Sequence, residues 1–299
     1  MCWCRTCVSG LHLPAFAAAE GGLFADQGLE VEFVDCARAP DWSLRGFSTR
    51  VKAVAGGEVD FALSSVAYLL AAQTEADGRL SARFVATSHR RNPIVAIVRD
   101  DSDLERPAEL AGSRAASWSI PWFAREYAGA LAHMGVARPV LEEARDPEAA
   151  LERREVDVIP TWMDMTLHHR KRGLPVRTIA LDIDVYTSGL VAGDRLPLEL
   201  VSRMRDAFVA GYDLQLEQPE LGIAAFRRRF PDVSEEHIAA NWALFAPYAF
   251  DRAAPGAMDA DRWRQTIEYT AATHGLPAFP DERIYRPELL TPALEYSAV

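Results

Sequence analysis

Apolar residues in this chain fall into short alternating runs separated by stretches of helical period. EVEFVD (30–35) alternates around Val31 and Phe33 and reads as a strand. VDFAL (59–63), ARFVAT (82–87) and PIVAIVRD (93–100) are compact β-branched or aromatic runs of the same kind. Between them the pattern predicts helices over 13–28, about 45–57, and 66–78, with Gly28 and Gly78 as C-caps. The middle of the chain repeats the theme. Residues 107–117 run a helical turn into a strand, and 121–135 form a helix ending at Gly135. In 144–155, Asp146 stands as N-cap with Pro147 at the first helical position. A strand (156–162), a helix (163–173) and a strand (176–182) follow. Beyond about residue 195 four helices succeed one another, with Pro197, Ser234 and Asp259 as start signals and Gly275 as a stop. Strands alternating with helices predict an α/β layer structure with a mostly parallel sheet, closed by helices.

Two segments, 53–70 (AVAGGEVDFALSSVAYLL) and 150–167 (ALERREVDVIPTWMDMTL), echo each other. Each has a helix, Glu-Val-Asp, an apolar strand, a short polar loop and another helix. The loop is Ser64-Ser65 in the first and Thr161-Trp162 in the second. The shared order predicts two α/β lobes of similar plan, their strand C-terminal ends facing a common cleft, where open α/β sheets bind ligands.

LPAFAAAEGGLFADQGLEVEFVD (13–35) resembles the opening of the NMT1/THI5-like substrate-binding proteins. This group holds the nitrate, taurine, alkanesulfonate and pyrimidine-precursor binders of ABC importers. AVAGGEVDFAL (53–63), IVRDDSDLERPAELAGSRAA (97–116) and LVAGDRLP (190–197) resemble later landmarks of the same family. The resemblance covers roughly residues 5–215. It implies an α/β, two-lobed type II periplasmic-binding-protein fold with C-terminal helices. Lobe one would be 1–95 plus 187–299 and lobe two 96–186, with hinge crossings near 95 and 186. It also implies a non-enzymatic monomer that hands a small-molecule ligand to an ABC permease. The aromatic sulfinate desulfinases share the scaffold, with a cysteine after the first strand and an arginine just before Gly-Gly-Glu. Here Ser9 occupies that loop, Cys7 lies two positions earlier, and Val54-Ala55 precede Gly56-Gly57-Glu58. Pyrimidine synthases of the superfamily carry an internal cysteine motif that this chain lacks. A cytosolic ligand sensor on the same scaffold is a third possibility.

Composition narrows the partners. The 299 residues are 49% hydrophobic and 25% charged, with a net charge of -11. So acidic a chain offers no basic footprint for phosphates, which argues against nucleic acid. No apolar run approaches the ~18 residues of a membrane span. As written, the chain has no export leader. A misassigned start, with the mature protein extracytoplasmic as the family implies, or a cytoplasmic relative would each account for that.

MCWCRTCVSG reads as the first strand. Alternation puts Cys2 and Cys4 on one face and Cys7 on the other, with only Cys36 elsewhere, so no four-ligand metal site assembles. No metal or cofactor is expected. Cleft candidates are the loop residues after strands. Lobe one offers Ser9, His12, Ser64 and Ser65; lobe two offers Ser117, Trp118 and Ser119, then Trp162 and Asp164; Tyr186 lies at the second hinge. Trp118 either packs the lobe or stacks on a ligand. Asp164 either caps its helix or places a carboxylate beside the indoles, which suits a planar, nitrogen-rich or cationic ligand and repels an oxyanion. His168–Arg172 read as a solvated, dipole-complementing helix end. No P-loop, dinucleotide fingerprint, nucleophile elbow or HExxH is present.

Overall fold

The apolar runs become two sheets. The structure is a computed structural model; it describes residues 2–3, 12–35, 48–117, 121–249 and 256–290. The first sheet contains β1 (Cys2–Trp3), β2 (Val34–Asp35), β3 (Phe61–Ser65), β4 (Ala82–Thr87) and β10 (Ser188–Gly193), in the order β2-β1-β3-β10-β4. β1 runs parallel to β2 and β3, whereas β10 is antiparallel to both β3 and β4. The second group contains β5 (Ile94–Arg99), β6 (Arg114–Ser117), β7 (Val140–Glu143), β8 (Ile159–Trp162) and β9 (Val176–Ala180). β5 lies antiparallel between β8 and β9. β6 pairs in parallel with β7, and a parallel bridge between Ala115 and Val158 joins β6 to β8.

The resulting order, β7-β6-β8-β5-β9, repeats the plan of the first sheet, including its single antiparallel intruder. β3 and β8 hold equivalent places in the two sheets. They are the strands of the Glu-Val-Asp echo, which therefore marks two lobes of one α/β design. The chain crosses between the sheets through 88–93 and again through 181–187. These segments run side by side, with Asn92 N donating to Ile183 O (2.9 Å) and Ser88 N to Ser188 O (2.8 Å).

Period-2 patterning explains how the second sheet is covered on both faces. Ile94, Ala96 and Val98 of β5 enter one apolar cluster, while Val95 and Ile97 enter another. The first sheet feeds a single larger core that takes in Phe84, Leu190, Phe208, Tyr212 and Trp263.

The helices are α1 (Leu13–Glu20), α2 (Leu23–Asp26), α3 (Thr49–Gly56), α4 (Val66–Glu75), α5 (Pro121–His133), α6 (Pro147–Glu152), α7 (Met165–Lys171), α8 (Leu198–Glu217), α9 (Pro219–Arg229), α10 (Glu235–Ala249), α11 (Ala260–His274) and α12 (Asp281–Ile284). Start signals act as expected. Asp146 accepts from Ala149 N (3.0 Å), and Asp259 accepts from Arg262 N (2.8 Å). Gly275, at φ 65°, terminates α11. The four-helix close of the chain is therefore present as α8 to α11.

Three expectations need correction, and one strand is new. The helix over 13–28 breaks at Gly21-Gly22, because Gly22 adopts φ 75°. The strand at 30–35 shrinks to Val34–Asp35 at a sheet edge. Ser64 and Ser65 are not loop residues. They are the last rungs of β3, paired with Gly189 and Ser188. The exposed strand β7 had no prediction, since VLEE offers no alternation and all four residues face solvent.

α1 is seated by glycines. A Cβ at Gly211 of α8 would come within 2.4 Å of Pro14 O and 2.7 Å of Ala18 Cβ. Gly211→Val is expected to cost about 3 kcal/mol by overpacking this contact, seen as a lower urea midpoint with an unchanged slope. Because His12 begins α1, the same change displaces that side chain.

Candidate functional site

β3 and β8 end at equivalent positions, and the polar candidates sit there. Ser65 caps α4, its Oγ accepting from Ala67 N at 3.3 Å. Ser64 is buried, and its Oγ has no hydrogen-bond partner among the described residues. Across the molecule, Thr161 is 0% exposed and its Oγ1 is likewise unpartnered. Trp162 Nε1, Asp164 Oδ1 and Thr166 Oγ1 follow in the same condition. Burying such groups without partners costs about 1–3 kcal/mol each, so each calls for an explanation.

Asp164 stands at the entry to α7 but makes no side-chain cap bond of normal geometry. Burial pushes its carboxyl up to about 6, and the N–H groups of Asp164 and Met165 pull it back only in part. An acid with a raised folded-state value destabilises the fold once ionised. Below about pH 4 the penalty is absent, and it grows as pH rises through 6. Asp164→Asn is therefore expected to be more stable than the parent by on the order of 2 kcal/mol at pH 7.5. At pH 4 the two should have equal denaturation midpoints.

Aromatic rings connect the two lobes. Trp122 of α5 stacks on Phe123 (4.5 Å between centroids) and meets Trp162 edge-on at 5.3 Å. On its other side it meets Tyr68 of α4 at 6.1 Å and, tilted, His274 of α11 at 6.3 Å. Trp122 is buried yet belongs to none of the three apolar clusters. It fills the space between the helix that follows β3 and the end of β8.

Sequence reasoning missed two buried polar groups. In the first, Glu126 of α5 pairs through Oε1 with His274 Nε2 (2.6 Å) and accepts through Oε2 from Asn92 Nδ2 (2.8 Å). This ties a lobe-two helix to the first crossing and to the C-terminal helices. In the second, His89 Nδ1 lies 2.6 Å from Ser188 Oγ, and Ser88 Oγ lies 3.1 Å from the same oxygen. Burial, reinforced by His12, lowers His89 to about 3, so its ring is neutral near neutral pH. The partners are far apart in sequence, 148 residues for Glu126 and His274 and 99 for His89 and Ser188, so no local motif announces them.

The remaining candidates separate. His12 is buried at the start of α1, close enough to act on His89. Tyr186 is buried in the core of the first lobe against Trp263 (5.2 Å) and beneath Arg262 (5.3 Å). Its hydroxyl accepts from Asp259 N at 3.1 Å, which fixes it in that core. Ser117 closes β6, opposite Glu143. Ser9, Trp118 and Ser119, like Cys4, Cys7 and Cys36, lie outside the described residues.

The basic end of α7 is not fully solvated. His169 is 0% exposed, with Nδ1 2.6 Å from the buried carboxylate of Glu148, which Arg172 also contacts. A carboxylate buried in α6 therefore organises part of that run. Among the described residues no group of three or more His, Cys, Asp or Glu is placed to hold a metal. A cavity of about 460 Å³ lined by Arg99, Asp101, Leu151, Arg154 and Leu174 lies at the far end of the second sheet from Trp162. Its Asp101 is already held by Arg99 (2.8 Å) and Arg154 (2.6 Å).

Solved structures share this architecture. The periplasmic aliphatic sulphonate binding protein SsuA from Escherichia coli aligns with a TM-score of 0.66 at 16% identity, over 96% of this chain and 93% of that one. The alkanesulfonate-binding protein SsuA from Xanthomonas axonopodis pv. citri, bound to MOPS, aligns at 0.59 and 14% identity over 95% and 96%. A DszB mutant in complex with biphenyl-2-sulfinic acid aligns at 0.56 and 15% over 96% of both chains. Comparison with curated proteins gave no match. The model of the family described as NMT1/THI5 like matches residues 10–221. With that match over most of its length and a two-lobed periplasmic-binding-protein fold beneath it, this chain belongs to the NMT1/THI5-like family.

Proposed function

We propose that this protein is a solute-binding protein whose two lobes, about 1–95 plus 187–299 and 96–186, close on a small organic molecule and deliver it to an ABC permease. The crossings at 88–93 and 181–187 are the hinges, and the protein acts as an extracytoplasmic monomer. The observation that carries this reading is the join between equivalent strand ends. Ser64 and Thr161, each next to last in β3 and β8, carry unpartnered hydroxyls, and the rings of Tyr68, Trp122 and Trp162 bridge the lobes beside them. An aromatic wall with a few fixed polar groups suits a compact organic solute, planar or pyrimidine-like. In this reading Tyr186 supports the hinge.

Binding is favoured over catalysis because the desulfinase pattern is not kept. Val54 and Ala55 stand where that pattern has its arginine. The test is native mass spectrometry of the purified full chain with a denatured control. A released small molecule, identified by its fragments, supports the reading. A chain that releases nothing and shows no thermal shift across a broad solute panel overturns it.

A further inference from the structure

The turn from β8 into α7 carries Thr161, Trp162, Asp164 and Thr166 within six residues, each with a polar atom out of water and unpartnered among the described residues. Thr161 and Thr166 are 0% and 2% exposed. Their chemistry is mixed. An indole N–H only donates, a carboxylate only accepts, and a hydroxyl does either. A sulfonate, carrying three acceptor oxygens and no donor, would satisfy Trp162 and the hydroxyls but set its charge against Asp164. Among the described residues no charged side chain acts on that carboxyl to offset it.

Resting on the solute-binding reading above, we propose that Asp164 is the specificity determinant of the cleft. It selects a planar amidine or nitrogen heterocycle that presents N–H donors, and it excludes sulfonates. One N–H of such a ligand donates to Asp164 and another to the hydroxyl oxygen of Thr161. A buried, paired carboxylate earns back its desolvation only when a donor meets it. This chain then departs in ligand charge from the sulfonate binders whose fold it shares.

The matched probes are benzamidine and benzenesulfonate, which share a ring and differ in head group. Each is titrated calorimetrically into the full chain, Asp164→Asn and Thr161→Val at pH 7.5. The parent should bind benzamidine at least tenfold more tightly than benzenesulfonate. Asp164→Asn should lose at least tenfold in benzamidine affinity and close the gap, and Thr161→Val should lose severalfold. Asp164→Asn is expected to be the more stable protein, so lost binding cannot be attributed to unfolding. Tighter binding of benzenesulfonate by the parent, or benzamidine affinity unchanged in Asp164→Asn, overturns the assignment of Asp164 while leaving a solute-binding protein. If neither probe binds the parent, the head-group assignment also falls. A solute released in native mass spectrometry would still uphold the broader reading.

Discussion

Trp122→Ala is expected to lower the free energy of unfolding by about 4 kcal/mol, within the range for removing a buried tryptophan. Its indole is 5% exposed and touches Tyr68, Phe123, Trp162 and His274. It joins the edges of two cores, with Tyr68 from one and Phe123 and Trp162 packed against the other, so its removal leaves a gap between them. Trp122→Phe keeps a ring in the same place and should cost about half as much. Urea denaturation followed by circular dichroism measures both. Equal and small losses would mean that the bridging ring is exposed in solution, and the lobes stand apart there.

His89 makes the fold sensitive to acid. Its ring is held neutral down to about pH 3, whereas an unfolded chain protonates it near 6.5. Between those values the unfolded state binds the extra proton, so stability falls as pH falls, and it is fully retained above about pH 6.5. At pH 5 the expected loss from this residue is about 2 kcal/mol, rising to about 4 kcal/mol near pH 3. Carboxylates titrate over part of the same range, so the diagnostic is a difference. His89→Gln should be less stable than the parent at pH 7.5, having lost the 2.6 Å contact with Ser188. It should nevertheless show a shallower decline between pH 6.5 and 5. Parallel curves would show that His89 takes up its proton in the folded protein as readily as in the unfolded one.

The predicted changes at Asp164 and His89 share a cause. Both take an ionisable group out of water, the whole ring at His89 and Oδ1 at Asp164, and neither position declares this in the sequence. An aspartate before a helix reads as a cap, and a histidine after a strand reads as a turn residue. Asp164 makes no cap bond of normal geometry, and His89 is buried against Ser188 and Phe245. Burial depends on what the rest of the chain packs over a residue, and here the covering elements come from distant parts of the sequence.

What the sequence determined by itself was the list of elements and their repetition. Alternation marked most strands, Asp146, Asp259 and Gly275 marked helix ends, and the Glu-Val-Asp echo located the equivalent strands β3 and β8. These features are legible because they are set by neighbours a few residues apart. The local limit also explains the errors. The break at Gly22 is set by a left-handed backbone, and of the described residues in 30–35 only Val34 and Asp35 pair with β1. Only the tertiary structure decided that Ser64 and Ser65 belong to a strand, since that required β10 beside them. It alone brought Glu126 to His274, His169 to Glu148 and Trp122 between the lobes. Those contacts join residues brought together by the two chain crossings and the closing helices. Their energies come from burial and shared hydrogen bonds, which no short window of sequence contains.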